Sequence, residues 1–190
     1  MIKDIVIQGI SIVGMTINVL SYQRKTQRGI LSMQLVGGAL FCIHYILLGA
    51  IVGGLLNAFA VVRAIVYSDR ARGRDRRWLF GFIAAILVIY ALNFTALGAK
   101  PTLLNLLLEL LPVIGMIASS IGMSYGDAAM TRRFSFINSP AWLIYNSIKF
   151  SLGGIICEAI SLISITVGTI RLDLRGRGRK KSDSESQITT

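Results

Sequence analysis

Phe41-Cys42-Ile43-His44-Tyr45-Ile46-Leu47-Leu48-Gly49, running on through Gly53-Gly54 to Asn57, is met a second time as Trp142-Leu143-Ile144-Tyr145-Asn146-Ser147-Ile148-Lys149-Phe150, running on through Gly153-Gly154 to Glu158. In each copy an aromatic residue lies in an apolar helical stretch, and a polar-tipped ring follows three residues later. A glycine-rich corner comes next, and one polar side chain then sits in the following apolar helix. His44 to Asn57 and Tyr145 to Glu158 have the same spacing, 13 residues. Glycines without a side chain permit the tight reversal that each corner needs. The doubled helix, corner and helix is the frame for the rest of the chain.

Working outward, apolar runs of about 20 residues recur along the 190 residues, which is the length that spans hydrocarbon. The chain is 54% hydrophobic and 15% charged, with mean hydropathy +0.66, where a soluble domain carries about a quarter charged residues. The runs are continuous and do not alternate, which excludes a membrane β-barrel. The reading is an all-α polytopic membrane protein with seven transmembrane helices. They fall at residues 5–22, 30–48, 51–67, 78–97, 103–123, 134–150 and 152–170. The first run lacks a basic start and a small-residue cleavage site, so it is retained as a helix.

The net charge of +11 invites a nucleic-acid reading, but its distribution fits a membrane better. Arg24, Lys25 and Arg28 follow the first run, Arg70, Arg72, Arg74, Arg76 and Arg77 the third, Arg132 and Arg133 the fifth, and an Arg/Lys tail the seventh. In a seven-span arrangement these all lie on one side. That side is cytoplasmic by the positive-inside rule, with the N-terminus periplasmic and the C-terminus cytoplasmic. Anionic lipid at the cytoplasmic face is then the partner of these charges, and no nucleic acid is expected.

Spans one to three match spans five to seven. Ser21-Tyr22 closes the first span as Ser124-Tyr125 closes the fifth. An intervening fourth span restores the direction, so the two triplets run parallel. The expected organisation is a first three-helix bundle at 1–68, a basic loop and linker helix at 69–102, a second bundle at 103–171, and a disordered basic, Ser-rich tail at 172–190. The linker reads as a peripheral, lipid-facing helix with Tyr90 and Asn93 as its polar interior residues.

"LFCIHYILLGAIVGGLLNA" and "AWLIYNSIKFSLGGIICEA" resemble the second and third helices of the SWEET, SemiSWEET and PQ-loop transporter superfamily. Through "SYQRKT" and "WLIYN" the whole chain up to Ile170 most resembles the YgjV family of bacterial inner-membrane proteins. The resemblance implies a bacterial inner-membrane location. It also implies that an aromatic on the second helix and an asparagine on the third contact a solute, which here means Phe41 with Asn57 and Trp142 with Glu158. Two departures stand out. Ser21-Tyr22 and Ser124-Tyr125 replace the proline-glutamine hinge, and Glu158 replaces the second asparagine.

Trp142, Tyr145, Asn146 and Lys149 share one helix face. It can stack on and hydrogen-bond a small polar solute, whereas the plainer reading is packing, with Lys149 snorkelling to the interface. Glu158 is an ionisable group inside a span, a position that by default faces a cavity. Glu109 has a similar case without a counterpart in the first triplet. Polar stripes, Gln8, Ser11, Met15, Asn18 and Tyr22 on the first span and Asn105, Glu109, Pro112, Met116 and Ser119 on the fifth, are also ordinary helix-packing faces. His44 reads as a buried, hydrogen-bonded histidine. Cys42 and Cys157 read as packing residues. No motif for a metal, a cofactor or an enzyme is present.

The expected solute-binding set is therefore Phe41, His44, Asn57, Trp142, Tyr145, Asn146 and Glu158, around a midplane cavity about which the bundles rock. The expected function is a transporter or facilitator of a small polar solute. The alternative is a non-transporting membrane protein that binds a partner or lipid.

Overall fold

The computed structural model describes residues 2–47, 51–69, 75–95, 100–148 and 152–174; of 2–5, 45, 51–56 and 152–153 only the backbone is described. The glycine corner at Gly49, the basic loop at 70–74, Lys149 and the tail from 175 onward lie outside these residues.

Every described element is helical: α1 Ile2–Ser21, α2 Gln27–Leu47, α3 Ile51–Ser68, α4 Arg76–Thr95, α5 Leu103–Ser124, α6 Ala128–Ile148 and α7 Leu152–Gly168. A π-helical turn, Thr169–Leu174, closes the set. Short polar side chains start several helices by accepting orphan N–H groups. Thr26 Oγ1 accepts Gly29 N at 3.1 Å, and Asp75 Oδ1 accepts Arg77 N at 2.9 Å. Thr102 Oγ1 accepts Asn105 N, and Asp127 Oδ2 accepts Met130 N, each at 3.3 Å. Gly126 turns the chain into α6 with φ +71°, a conformation that a side chain would resist.

The Asp127 cap explains why α6 begins six residues earlier than the apolar run suggests. Arg132 and Arg133 therefore lie on the first turns of a helix and not in a loop, and Arg132 is buried. Hydropathy alone misses this segment because its first two turns carry the arginines.

By length and apolar composition, Arg76–Thr95, Leu103–Ser124 and Gly154–Leu174 suffice to cross a membrane, and Val6–Ser21 and Asn57–Ser68 are shorter apolar helices. Large apolar side chains point outward along the set, among them Leu103 at 74% and Leu104 at 71% exposure. Such a surface is stable in lipid and costly in water.

α2 packs against both α1 and α3, and α6 packs against both α5 and α7. Between these groups α1 meets α7, α2 meets α6 and α3 meets α5. Exchanging α1, α2, α3 with α5, α6, α7 leaves that contact pattern unchanged. A matching detail recurs 101 residues apart. A Cβ on Gly14 would lie 3.2 Å from the Gly37 carbonyl and 3.5 Å from the Phe41 ring. One on Gly115 would lie 3.3 Å from the Asn138 carbonyl and 3.3 Å from the Trp142 ring. Small residues let the backbones approach at both places.

α4 packs chiefly on α5. Phe80, Leu87, Val88 and Leu92 are exposed on it, as expected of a lipid-facing helix. Phe82, however, is buried against Phe59 and Tyr67 of α3, with ring centroids 5.5 and 5.4 Å apart. With Leu31, Val66 and Met123 it forms an apolar cluster joining α2, α3, α4 and α5.

Candidate functional site

The α1–α2 turn is held by the second group of helices. Gln23 Nε2 donates to the Ser164 carbonyl at 2.7 Å and to its hydroxyl at 3.0 Å, while Ser164 Oγ donates to the Val19 carbonyl at 2.6 Å. Gln27 Nε2 donates to the Met123 carbonyl. Arg132, 1% exposed, donates to the carbonyls of Arg24 at 2.8 Å and Tyr22 at 3.4 Å, and pairs through Nε and Nη2 with both oxygens of Asp173. A forked guanidinium suits such bidentate pairing. Gly168 lies so close to this turn that an added Cβ would sit 2.5 Å from the Tyr22 carbonyl. These bonds gather at one end of the helices.

Away from that end, α4, α5 and α6 enclose a cavity of about 220 Å³. Its lining includes Tyr90 and Asn93 of α4, Glu109 and Pro112 of α5, and Trp142 and Tyr145 of α6. The Tyr145 hydroxyl donates toward the Glu109 carboxyl, with oxygens at 3.2 and 3.4 Å. Trp142 meets Tyr145 edge-to-face at 5.7 Å. Tyr90 donates to the Leu106 carbonyl at 3.0 Å, which ties α4 to α5. The result is an aromatic-walled space with a carboxyl, an amide and a phenol at its surface, the ordinary composition of a small-molecule site.

Of the residues expected to bind solute, Trp142 and Tyr145 line this cavity. The others lie elsewhere. Phe41 is half-buried, edge-on to His44 with centroids 6.4 Å apart. His44 is buried, with Nδ1 2.9 Å from the Ile7 carbonyl, which ties α2 to α1. Asn57 is half-buried on α3, with its carbonyl 3.9 Å from where a Cβ on Gly38 would stand. The Asn146 amide lies against Gly154, where a Cβ would come within 2.5 Å of it. Glu158 is half-buried on α7.

Glu109, Tyr90 and Asn93 complete the cavity although the repeat did not single them out. Their signal was present. Glu109, Pro112 and Met116 form a helical stripe, and all three line the space. Tyr90 and Asn93 are the polar residues in the interior of α4, whose ends carry Arg76, Arg77 and Thr95. Cys42 and Cys157 are half-buried free thiols. Among the described residues, no group of three or more His, Cys, Asp or Glu could hold a metal ion.

A family model described as Imp-YgjV, bacterial inner membrane protein, matches residues 5–175. That is most of the chain, and the chain belongs to this family of bacterial inner-membrane proteins. No curated protein and no solved structure matches it.

Proposed function

We propose that this member of a bacterial inner-membrane family is a transporter or facilitator of a small polar solute, built on seven spans as two parallel triplets, α1–α3 and α5–α7, joined by α4. The observation that carries the reading is the paired geometry of Gly14 with Gly37 and Phe41, and of Gly115 with Asn138 and Trp142. Duplicated helix groups that pack with exchange symmetry are a recurrent transporter plan, with rigid-body rocking as its motion.

The solute enters the space walled by Trp142, Tyr145 and Glu109, where ring faces stack and the carboxyl and phenol hydrogen-bond it. The bonds around the α1–α2 turn hold one end of the triplets together, and that end opens when the triplets rock. Glu158, inside the span formed by α7, adjusts the charge preference of the path. The wide hollow of about 500 Å³ beside Arg24, Lys25 and Thr26 lies on the same end and suits anionic lipid headgroups.

The test is uptake into proteoliposomes across a panel of sugars, vitamins and amines, with solute-induced thermal stabilisation alongside. Native protein is compared with Trp142→Ala, Glu158→Gln and Asn57→Ala. Uptake of at least one solute, lost in Trp142→Ala, is the expected result. If no solute is bound or moved and all three variants match the native protein, the transport reading is wrong.

A further inference from the structure

Arg63 lies within α3, five residues before its end at Ser68, or about 7–8 Å of helix rise. It is 8% exposed. Its Nη1 donates to the Met116 carbonyl and to Ser120 Oγ of α5, each at 3.1 Å. Both acceptors are neutral and already engaged, since Ser120 Oγ itself donates to the Met116 carbonyl at 2.8 Å. Among the described residues no carboxylate pairs with Arg63, and its buried Nε has no acceptor. One turn further along the same face, Tyr67 is 3% exposed and its hydroxyl also lacks a partner.

The two side chains thus offer a cation and a phenol hydroxyl on α3 beside α5. A guanidinium has only donors. A buried cation facing neutral oxygens keeps its charge uncompensated, and a cation inside a span marks a ligand or ion position by default. Two unpartnered donors, Nε of Arg63 and the hydroxyl of Tyr67, call for the same kind of group: one that accepts at two points and carries negative charge.

We propose that Arg63 and Tyr67 form an oxyanion site at the α3–α5 seam, taking one carboxylate or phosphate group. The site adjoins the cavity of Trp142 and Glu109 at Met116 but does not depend on the transport reading. The oxyanion comes either from a free solute or from a phospholipid headgroup at the Ser68 end of α3.

The experiment uses the full-length protein in detergent, stripped of lipid. Its melting temperature is followed against inorganic phosphate, sulfate and succinate at constant ionic strength, with chloride as reference. In parallel, retained phospholipid is counted by native mass spectrometry before stripping. Saturable stabilisation by oxyanions that is absent in Arg63→Gln and kept in Arg28→Gln assigns a free anion. Phospholipid that is lost in Arg63→Gln, with no response to free anions, assigns the headgroup. If Arg63→Gln does not fold, Tyr67→Phe reads the same site and is expected to weaken the response about tenfold. A melting temperature indifferent to oxyanions in the native protein, with no Arg63-dependent lipid, overturns the site and leaves Arg63 as a cross-link to α5.

Discussion

Arg132 and Asp173 form a buried two-point ion pair, their side chains 2% and 7% exposed, and the same guanidinium reaches across to the carbonyls of Tyr22 and Arg24. One side chain therefore fastens three places that are far apart in sequence: the first turn, the start of α6 and the end of α7. Removing one partner of a buried pair leaves the other charge uncompensated, which costs about 3–5 kcal/mol. Arg132→Ala is expected to lose stability on that scale, measured by denaturant unfolding in mixed micelles. Arg132→Met combined with Asp173→Leu is expected to recover part of the loss, since no charge is then stranded. A double variant as unstable as the sum of both singles would contradict this account.

Gly168 and Gly81 make a matched pair for testing the contact of α7 with the α1–α2 turn. An added methyl at Gly168 meets the Tyr22 carbonyl at 2.5 Å and Arg132 Cδ at 3.2 Å, whereas at Gly81 nothing lies within 4 Å. Overpacking of this kind costs roughly 1–3 kcal/mol. Gly168→Ala should lower the melting temperature clearly, and Gly81→Ala should leave it unchanged or raise it slightly.

Tyr145→Phe removes the hydroxyl that donates to Glu109 while keeping the ring against Trp142. A hydrogen bond of this sort contributes about 0.5–1.5 kcal/mol, more when one partner is charged. Once a solute is identified in the uptake panel, its affinity for Tyr145→Phe should fall by about tenfold, while the fold survives by circular dichroism. An unchanged affinity would remove Tyr145 from the binding surface.

The proposed seven-span topology predicts where reporter domains end up. Alkaline phosphatase fused after Lys100 should be active, because the proposal puts that position in the periplasm, and a fusion after Ser68 or Leu174 should be inactive. A fluorescent protein that matures only in the cytoplasm should give the opposite pattern. Activity on both sides of α4 would break the parallel arrangement of the triplets.

Much of the fold was legible because lipid imposes long apolar runs, and those runs located every described helix, all but the start of α6 within a few residues. Helix ends were less so. α6 begins at its Asp127 cap, and a hydropathy reading passes over two turns whose arginine is paired inside the protein. The paired Gly14–Phe41 and Gly115–Trp142 packing follows the offset of the expected repeat. The cavity did not, since Tyr90 and Asn93 reach it from α4, which lies outside the repeat, and no spacing rule connects α4 to α6. Arg63 was visible only as a lone charge inside a span. That its neighbours are neutral oxygens depends on how α3 meets α5, a contact between residues more than fifty positions apart.

The grip of Arg132 on the first turn also bears on biosynthesis. Residues 22 to 24 leave the ribosome long before residues 132 and 173, so a nascent chain carries that turn unfastened until both have been made. Final assembly waits until Asp173 has emerged. A product truncated before it would lack the carboxylate that neutralises Arg132 and leave that guanidinium uncompensated beside the first turn.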